Sequence, residues 1–237
     1  LKIIAHRGAS AHFPEQSGAA IAAAWAQGAD GVEVDLRLTA DRRLLLQHDA
    51  SLLRCCGDAR RVAQLDSRQR HGLNACHGRP DLPAEAPLMV EEFLERVPPG
   101  RLAVLELKEG PAQAEALARA LGRRHRDIWL ISFHRDTLRH CQRLLPDLPI
   151  LWLRKGRQPP LPRTRRAWMR TVAAAGWAGL DLADSLVDRV MAAELAAAGL
   201  TLGVWTVDDP RRARELEDLG VAWLTSNRPG EINRKWP

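Results

Sequence analysis

A chain of 237 residues with 46% hydrophobic content can bury a large core, which excludes a disordered polypeptide and suits one domain of barrel size, about 250 residues. Its net charge of +6 suits an anionic ligand. The arginines behind that excess (Arg60, Arg61, Arg68, Arg70, Arg154, Arg157, Arg163, Arg165 and Arg166) occupy Pro-rich or polar stretches without a zinc-finger, homeodomain or RRM pattern, so we expect a solvated basic surface and no nucleic-acid partner.

From the N-terminus, the run Leu1-Lys2-Ile3-Ile4-Ala5 is too short for a signal peptide. No later run reaches the ~18–20 apolar residues of a spanning helix, so no integral membrane segment is expected. Short β-branched or leucine-rich runs then alternate with alanine- and leucine-rich helical patterns, as parallel strands joined by crossover helices do. Strands are predicted near 2–6, 31–36, 102–108, 128–133, 150–153, 178–182, 201–206 and 222–225. Helices are predicted near 15–27, 90–97, 112–125, 135–145, 165–175, 187–198 and 210–219, with a short one after Pro229. Residues 37–48 break the rhythm: Thr39-Ala40-Asp41-Arg42 reads as a turn and Leu44-Leu45-Leu46-Gln47 as a returning strand, a hairpin extension of the second strand. The stretch 50–89, rich in Arg, His, Gly and Pro, reads as an insertion over one end of the fold. The pattern therefore predicts the α/β class: a (β/α)8 barrel, one domain over 1–237, with a small insertion after the second strand. Cys55, Cys56, Cys76 and Cys141 show no CxxC spacing and are expected as reduced thiols of a cytoplasmic protein.

The first strand ends in His6-Arg7-Gly8, an acid/base imidazole and a fixed cation beside a residue that lets the backbone turn. On the second strand, Glu33 and Asp35 share a face because side chains repeat direction every two residues. Val32, Val34 and Leu36 suit the surrounding helices, so both carboxylates are expected to face the barrel interior. Unpaired charge there costs roughly several kcal/mol, and a divalent cation would neutralise it. The next barrel strand, Leu102 to Lys108, repeats the logic, pointing Glu106 and Lys108 inward together. Internal ion pairs, Glu106 with Lys108 and the other carboxylates with Arg7, are the structural alternative; clustering at C-terminal strand ends favours a site. With no Cys/His cluster to argue for zinc, three oxygen donors suit one Mg²⁺ or Ca²⁺.

His48-Asp49 closes the returning strand near the same mouth. It supplies a second imidazole, so that one ring can take a proton from the attacking oxygen while the other protonates the leaving alkoxide. Trp205 alternates with Val204 and is expected to face the mouth as a flat wall, with Asp209 as N-cap and Pro210 in the first turn of the next helix. His12, His71, His77, His125, His134 and His140 lie in loop or surface contexts and are assigned no chemistry.

In order, His6-Arg7-Gly8, Pro14-Glu15, Gly28-Ala29-Asp30-Gly31-Val32-Glu33-Val34-Asp35, Leu38-Thr39-Ala40-Asp41, His48-Asp49, Leu105-Glu106-Leu107-Lys108, Ser132-Phe133, Val204-Trp205-Thr206-Val207 and Thr225-Ser226-Asn227-Arg228-Pro229 make the chain resemble the glycerophosphodiester phosphodiesterase family nearly end to end. The resemblance implies a TIM barrel and the hydrolysis of a small-molecule glycerophosphodiester, such as glycerophosphocholine or glycerophosphoethanolamine, to glycerol 3-phosphate and an alcohol. It implies His6 and His48 as the acid/base pair, Glu33, Asp35 and Glu106 as ligands of Mg²⁺ or Ca²⁺, and Arg7 and Lys108 as phosphate holders. Trp205 would line the glycerol side, capped by the insertion. The chain departs from the family at Gln16-Ser17, where Asn-Thr is usual, and at Asp208, where Asn is common. Rival readings are a lysophospholipase D-like barrel, which needs a lipid-binding rim, and a catalytically silent barrel that binds phosphorylated ligands; the intact histidines and carboxylates favour an enzyme.

Overall fold

The computed structural model describes residues 1–122 and 127–233. In chain order these form β1 (Lys2–His6), α1 (Gly18–Ala26), β2 (Gly31–Leu38), β3 (Leu44–Leu46), α2 (Leu53–Cys56), two 3-10 turns (Val62–Gln64 and Ser67–Gly72), α3 (Val90–Glu95), β4 (Leu102–Leu107) and α4 (Ala112–Leu121). Then come β5 (Ile128–Ser132), α5 (Arg135–Leu144), β6 (Ile150–Arg154), α6 (Pro162–Ala175), β7 (Gly179–Ala183), a 3-10 turn (Asp184–Leu186), α7 (Arg189–Ala197), β8 (Thr201–Trp205), α8 (Pro210–Asp218), β9 (Trp223–Ser226) and α9 (Pro229–Asn233). Eight parallel strands run β1-β9-β8-β7-β6-β5-β4-β2 and close through β1–β2 pairing, while β3 adds antiparallel to β2. This is the expected (β/α)8 barrel with its hairpin extension.

Period two along the strands sorts the side chains into two layers. Val32, Val34 and Leu36 are fully buried between barrel and helices. Ile4, Leu102, Val104, Ile131, Leu151, Leu153 and Trp223 fill the barrel interior, with Trp129 edge-on to Trp223 at 4.8 Å. The interior is thus a packed plug, and Asp35 and Glu106 lie toward the C-terminal ends of their strands, where barrel sites form.

Several boundaries move for identifiable reasons. Helix α1 starts at Gly18, not near 15, because Ser17 caps it by accepting from the Ala20 N–H while Gln16 adopts a left-handed φ of 61°. Helix α3 stops at Glu95, as Pro98 and Pro99 disfavour helical backbone before them. Helix α6 starts earlier than expected, at Pro162, whose fixed φ suits a first turn. The end of the helix predicted over 112–125, and His125 with it, lie outside the described residues.

The solvated-surface reading of the arginines is corrected at two positions. Arg70 and Arg165 are each only 8% exposed. Arg70 donates to Glu92 at 2.6 Å and to the Pro87 carbonyl, and Arg165 donates to Glu194 at 2.8 Å and to the Pro160 carbonyl. A guanidinium can be buried when its donors are met in this way, and these two fasten the insertion and helix α6. Residues 50–89 build a small core of their own, in which Leu52, Cys56, Val62, Leu65 and Met89 pack with Leu45 of β3.

Candidate active site

The end of β1 is where the backbone is most constrained. Arg7 has a left-handed φ of 56°, a conformation that costs a non-glycine residue roughly 1 kcal/mol or more. It is held by Arg7 N–H donating to the Glu33 carbonyl at 2.9 Å and by the Arg7 carbonyl accepting from Gln16 N–H at 2.9 Å. Gly8 follows at φ 83°, and a Cβ there would lie 2.6 Å from the Ala20 backbone. Only glycine lets α1 pack this close, and the sharp turn throws the Arg7 side chain back over the barrel mouth.

Strand register then assembles the acidic cluster. His6 is paired with Glu33 and Asp35 with Glu106, so ligand oxygens of Glu33, Asp35 and Glu106 all lie within 4.8 Å of one another. Asp35, fully buried, is gripped on every side. Arg7 Nε stands 2.9 Å and Lys108 Nζ 3.1 Å from its oxygens, Gln16 Nε2 donates to it at 2.8 Å, and its own N–H donates to Gln16 Oε1. Lys108 also reaches Glu106 at 2.8 Å. Part of the ion-pair alternative is therefore present, but it does not account for Glu33. Both Glu33 oxygens are buried without a hydrogen-bond partner among the described residues, and the His6 imidazole stands off at 3.9 Å, Nε2 to Oε2.

Protonation follows from this imbalance. Burial, with Asp35 and Glu106 adding like charge, raises Glu33 well above the usual carboxylate range. Burial and Asp35 push Glu106 up to about 7. For Asp35 burial acts upward too, but Arg7 and Lys108 outweigh it and the net shift is downward. A group of three converging carboxylates, one with no counter-charge, fits a hard divalent cation that would supply the missing positive charge.

Two imidazoles face the same space. His6 Nδ1 lies 2.7 Å from Asn227 Oδ1, and burial followed by the neighbouring Arg7 lowers its pKa. His48 Nδ1 lies 2.8 Å from Asp49 Oδ1. Asp49 is lowered to about 2, first by its hydrogen bond from Arg54. Arg54 donates to Asp49 at 2.6 Å and to both Glu15 oxygens at 2.8 Å, while Glu15 in turn accepts from Arg7 at 3.2 Å.

A cavity of about 340 Å³ is lined by His6, Arg7, Glu33, His48, Glu106, Lys108 and Trp205, within the ~300–1,000 Å³ span of small-ligand sites. Asp35 lies beneath this surface. Trp205 packs edge-on to Phe133 at 5.8 Å, making an aromatic wall whose Phe133 ring carries Lys155 Nζ at 5.5 Å from its centroid. Sequence reasoning gave no role to Gln16, Asn227, Asp208 or Asp181. Asp181 also lines the cavity; it is 1% exposed, and burial plus the nearby Glu106 charge raise its pKa well above the usual range. Its signal was in the sequence, since Asp181 alternates with Leu180 and Leu182 as Glu33 does with its valines.

Imidazoles, carboxylates and cations gathered at the C-terminal mouth of a barrel suit an enzyme acting on an anionic ester, and sequence relationships give the class. The chain belongs to the Glycerophosphoryl diester phosphodiesterase family, whose model matches residues 6–231. It is 31% identical over 251 residues to the "Probable glycerophosphodiester phosphodiesterase 1" of Mycobacterium tuberculosis, covering 96% of this chain and 89% of that one. Its fold is similar to a solved glycerophosphodiester phosphodiesterase of Agrobacterium tumefaciens (TM-score 0.81, 26% identity, 98% of each chain). It is similar also to a phosphodiesterase of Oleispira antarctica in complex with the product sn-glycerol-3-phosphate (TM-score 0.84, 24% identity, 98% of this chain and 95% of that one). No described helix is long and apolar enough to cross a membrane.

Proposed function

We propose that this chain hydrolyses small glycerophosphodiesters to glycerol 3-phosphate and an alcohol, with His6 and His48 as the acid/base pair. The observation that carries the reading is Glu33: a buried carboxylate with no hydrogen-bond partner among the described residues, in one cavity with two imidazoles and the cations Arg7, Lys108 and Lys155. Glu33, Asp35 and Glu106 would hold one divalent cation, Mg²⁺ or Ca²⁺, which when bound supplies Lewis-acid stabilisation of charge building on the phosphoryl oxygens. Arg7 and Lys108 hold non-bridging phosphate oxygens; burial acts against the Lys108 charge, but Asp35 and Glu106 outweigh it and raise its pKa. His6, neutral by burial, accepts the proton of the attacking oxygen at Nε2. His48, with the Asp49 carboxylate behind it, delivers a proton to the leaving alkoxide. Trp205 lines the glycerol side. The 50–89 insertion caps this end of a single domain, with Arg54 reaching from it to Glu15 and Asp49. The product seen with the Oleispira antarctica phosphodiesterase supports glycerol 3-phosphate as the common product.

Purified protein with Mg²⁺ or Ca²⁺ is expected to release glycerol 3-phosphate from glycerophosphocholine or glycerophosphoethanolamine, read by a coupled dehydrogenase assay. Cleavage of a lysophospholipid alone would overturn the substrate assignment, and no cleavage of either would leave a silent phosphate-binding barrel. The protonation pattern adds a second expectation. Since Glu106 is pushed up to about 7 and Glu33 is raised as well, protons compete with the cation for the same oxygens. Affinity for the cation should therefore fall about tenfold between pH 8 and pH 6, measured by titration calorimetry; equal affinity at both would contradict the ligand assignment.

A further inference from the structure

We infer that Asn227 and Asp208 are positioning residues that lock His6 in the tautomer a proton acceptor needs, an inference that rests on the acid/base reading of His6. Three neighbouring strands supply the parts: His6 ends β1, Asn227 follows β9 and Asp208 follows β8. Asp208 Oδ2 accepts from Asn227 Nδ2 at 2.7 Å, and Asp208 Oδ1 accepts from the Asn227 backbone N–H at 2.7 Å and from Ser226 Oγ at 2.8 Å. On the other side of the amide, Asn227 Oδ1 accepts from His6 Nδ1 at 2.7 Å and from Ser10 Oγ at 2.9 Å.

Donor and acceptor chemistry leaves one arrangement. A carboxylate only accepts, so the amide nitrogen of Asn227 must face Asp208. Its oxygen then faces His6, and since a carbonyl oxygen also only accepts, the imidazole proton must sit on Nδ1. The lone pair is thereby fixed on Nε2, the atom that stands 3.9 Å from Glu33 Oε2 at the cavity. With the amide turned over, the proton would move to Nε2 and the ring could take no proton from an attacking oxygen. A histidine held in the wrong tautomer loses orders of magnitude in turnover while its surroundings stay intact. An asparagine at 208 would offer one accepting oxygen to the two Asn227 N–H groups that the carboxylate serves with two, and would admit the flipped amide.

The test uses the metal-loaded full chain. Long-range ¹H–¹⁵N correlation spectra, recorded where the ring is neutral, should show His6 as the Nδ1–H tautomer in the parent. Asn227→Leu and Asp208→Leu should lower kcat by about tenfold or more with KM within about twofold, and should convert His6 to a tautomer mixture. Asp208→Asn, with one accepting oxygen in place of two, should fall between the parent and Asp208→Leu in rate and in Nδ1–H signal. An Nε2–H tautomer in the parent overturns the inference even if no variant folds. So does an unchanged tautomer in Asn227→Leu, or a parent-like rate and tautomer in Asp208→Leu. Because the tautomer is read independently of turnover, an inactive parent that keeps the Nδ1–H form would count against the acid/base reading and leave the lock standing.

Discussion

His6→Ala and His48→Ala are each expected to lower turnover by about 10²-fold or more while the protein keeps its melting temperature within a few degrees. General acid/base assistance contributes roughly 10²–10⁴-fold, and both rings line one cavity. Neither ring belongs to the barrel's apolar plug. His6 stands at the last position of β1 and His48 just beyond β3, so truncation leaves the packed layers beneath untouched. The main structural loss at His6 is its hydrogen bond to Asn227, worth about 1 kcal/mol. Single-turnover measurements on both variants, alongside circular dichroism melts, check the expectation. Near-normal rates in both would dispose of the assigned roles.

Removal of the divalent cation is expected to abolish activity and to lower stability together, because the same carboxylates govern both. In the cation-free protein Glu33 is either protonated or an uncompensated buried charge, and either state raises the free energy of the fold. Saturation at about 100-fold over Kd stabilises by about 2.7 kcal/mol, which for a domain of this size corresponds to roughly 5–10 °C in Tm. The Glu33→Gln variant separates the effects: it removes the charge without changing the shape, so its cation-free form should melt no lower than the cation-free parent. It should also lose the cation-induced rise in Tm and most of the activity. Full turnover after exhaustive chelation, or an undiminished Tm response in Glu33→Gln, would remove these carboxylates from the metal assignment.

The barrel and its acidic cluster were legible in the sequence because both follow from local rules. Alternation alone points Glu33, Asp35 and Glu106 inward, and parallel pairing brings Asp35 beside Glu106. What was not legible depends on partners far away along the chain. Asn227 meets His6 across 221 positions, and nothing local to Asp208 marks it as a clamp on an amide. Arg70 and Arg165 look like surface charges until Glu92 and Glu194 arrive to receive them. Gln16 illustrates an intermediate case: its departure from the family pattern was visible, but its grip on both the side chain and the N–H of Asp35 required the left-handed turn that precedes α1.

Arg54 sits on a short helix of the insertion, yet its guanidinium holds the two acids that stand behind Arg7 and His48. The loop region and the barrel rim are therefore a single electrostatic unit. Any redesign that swaps 50–89 to widen the range of accepted alcohols has to bring a cation back to this spot, or else neutralise Glu15 and Asp49 in compensation.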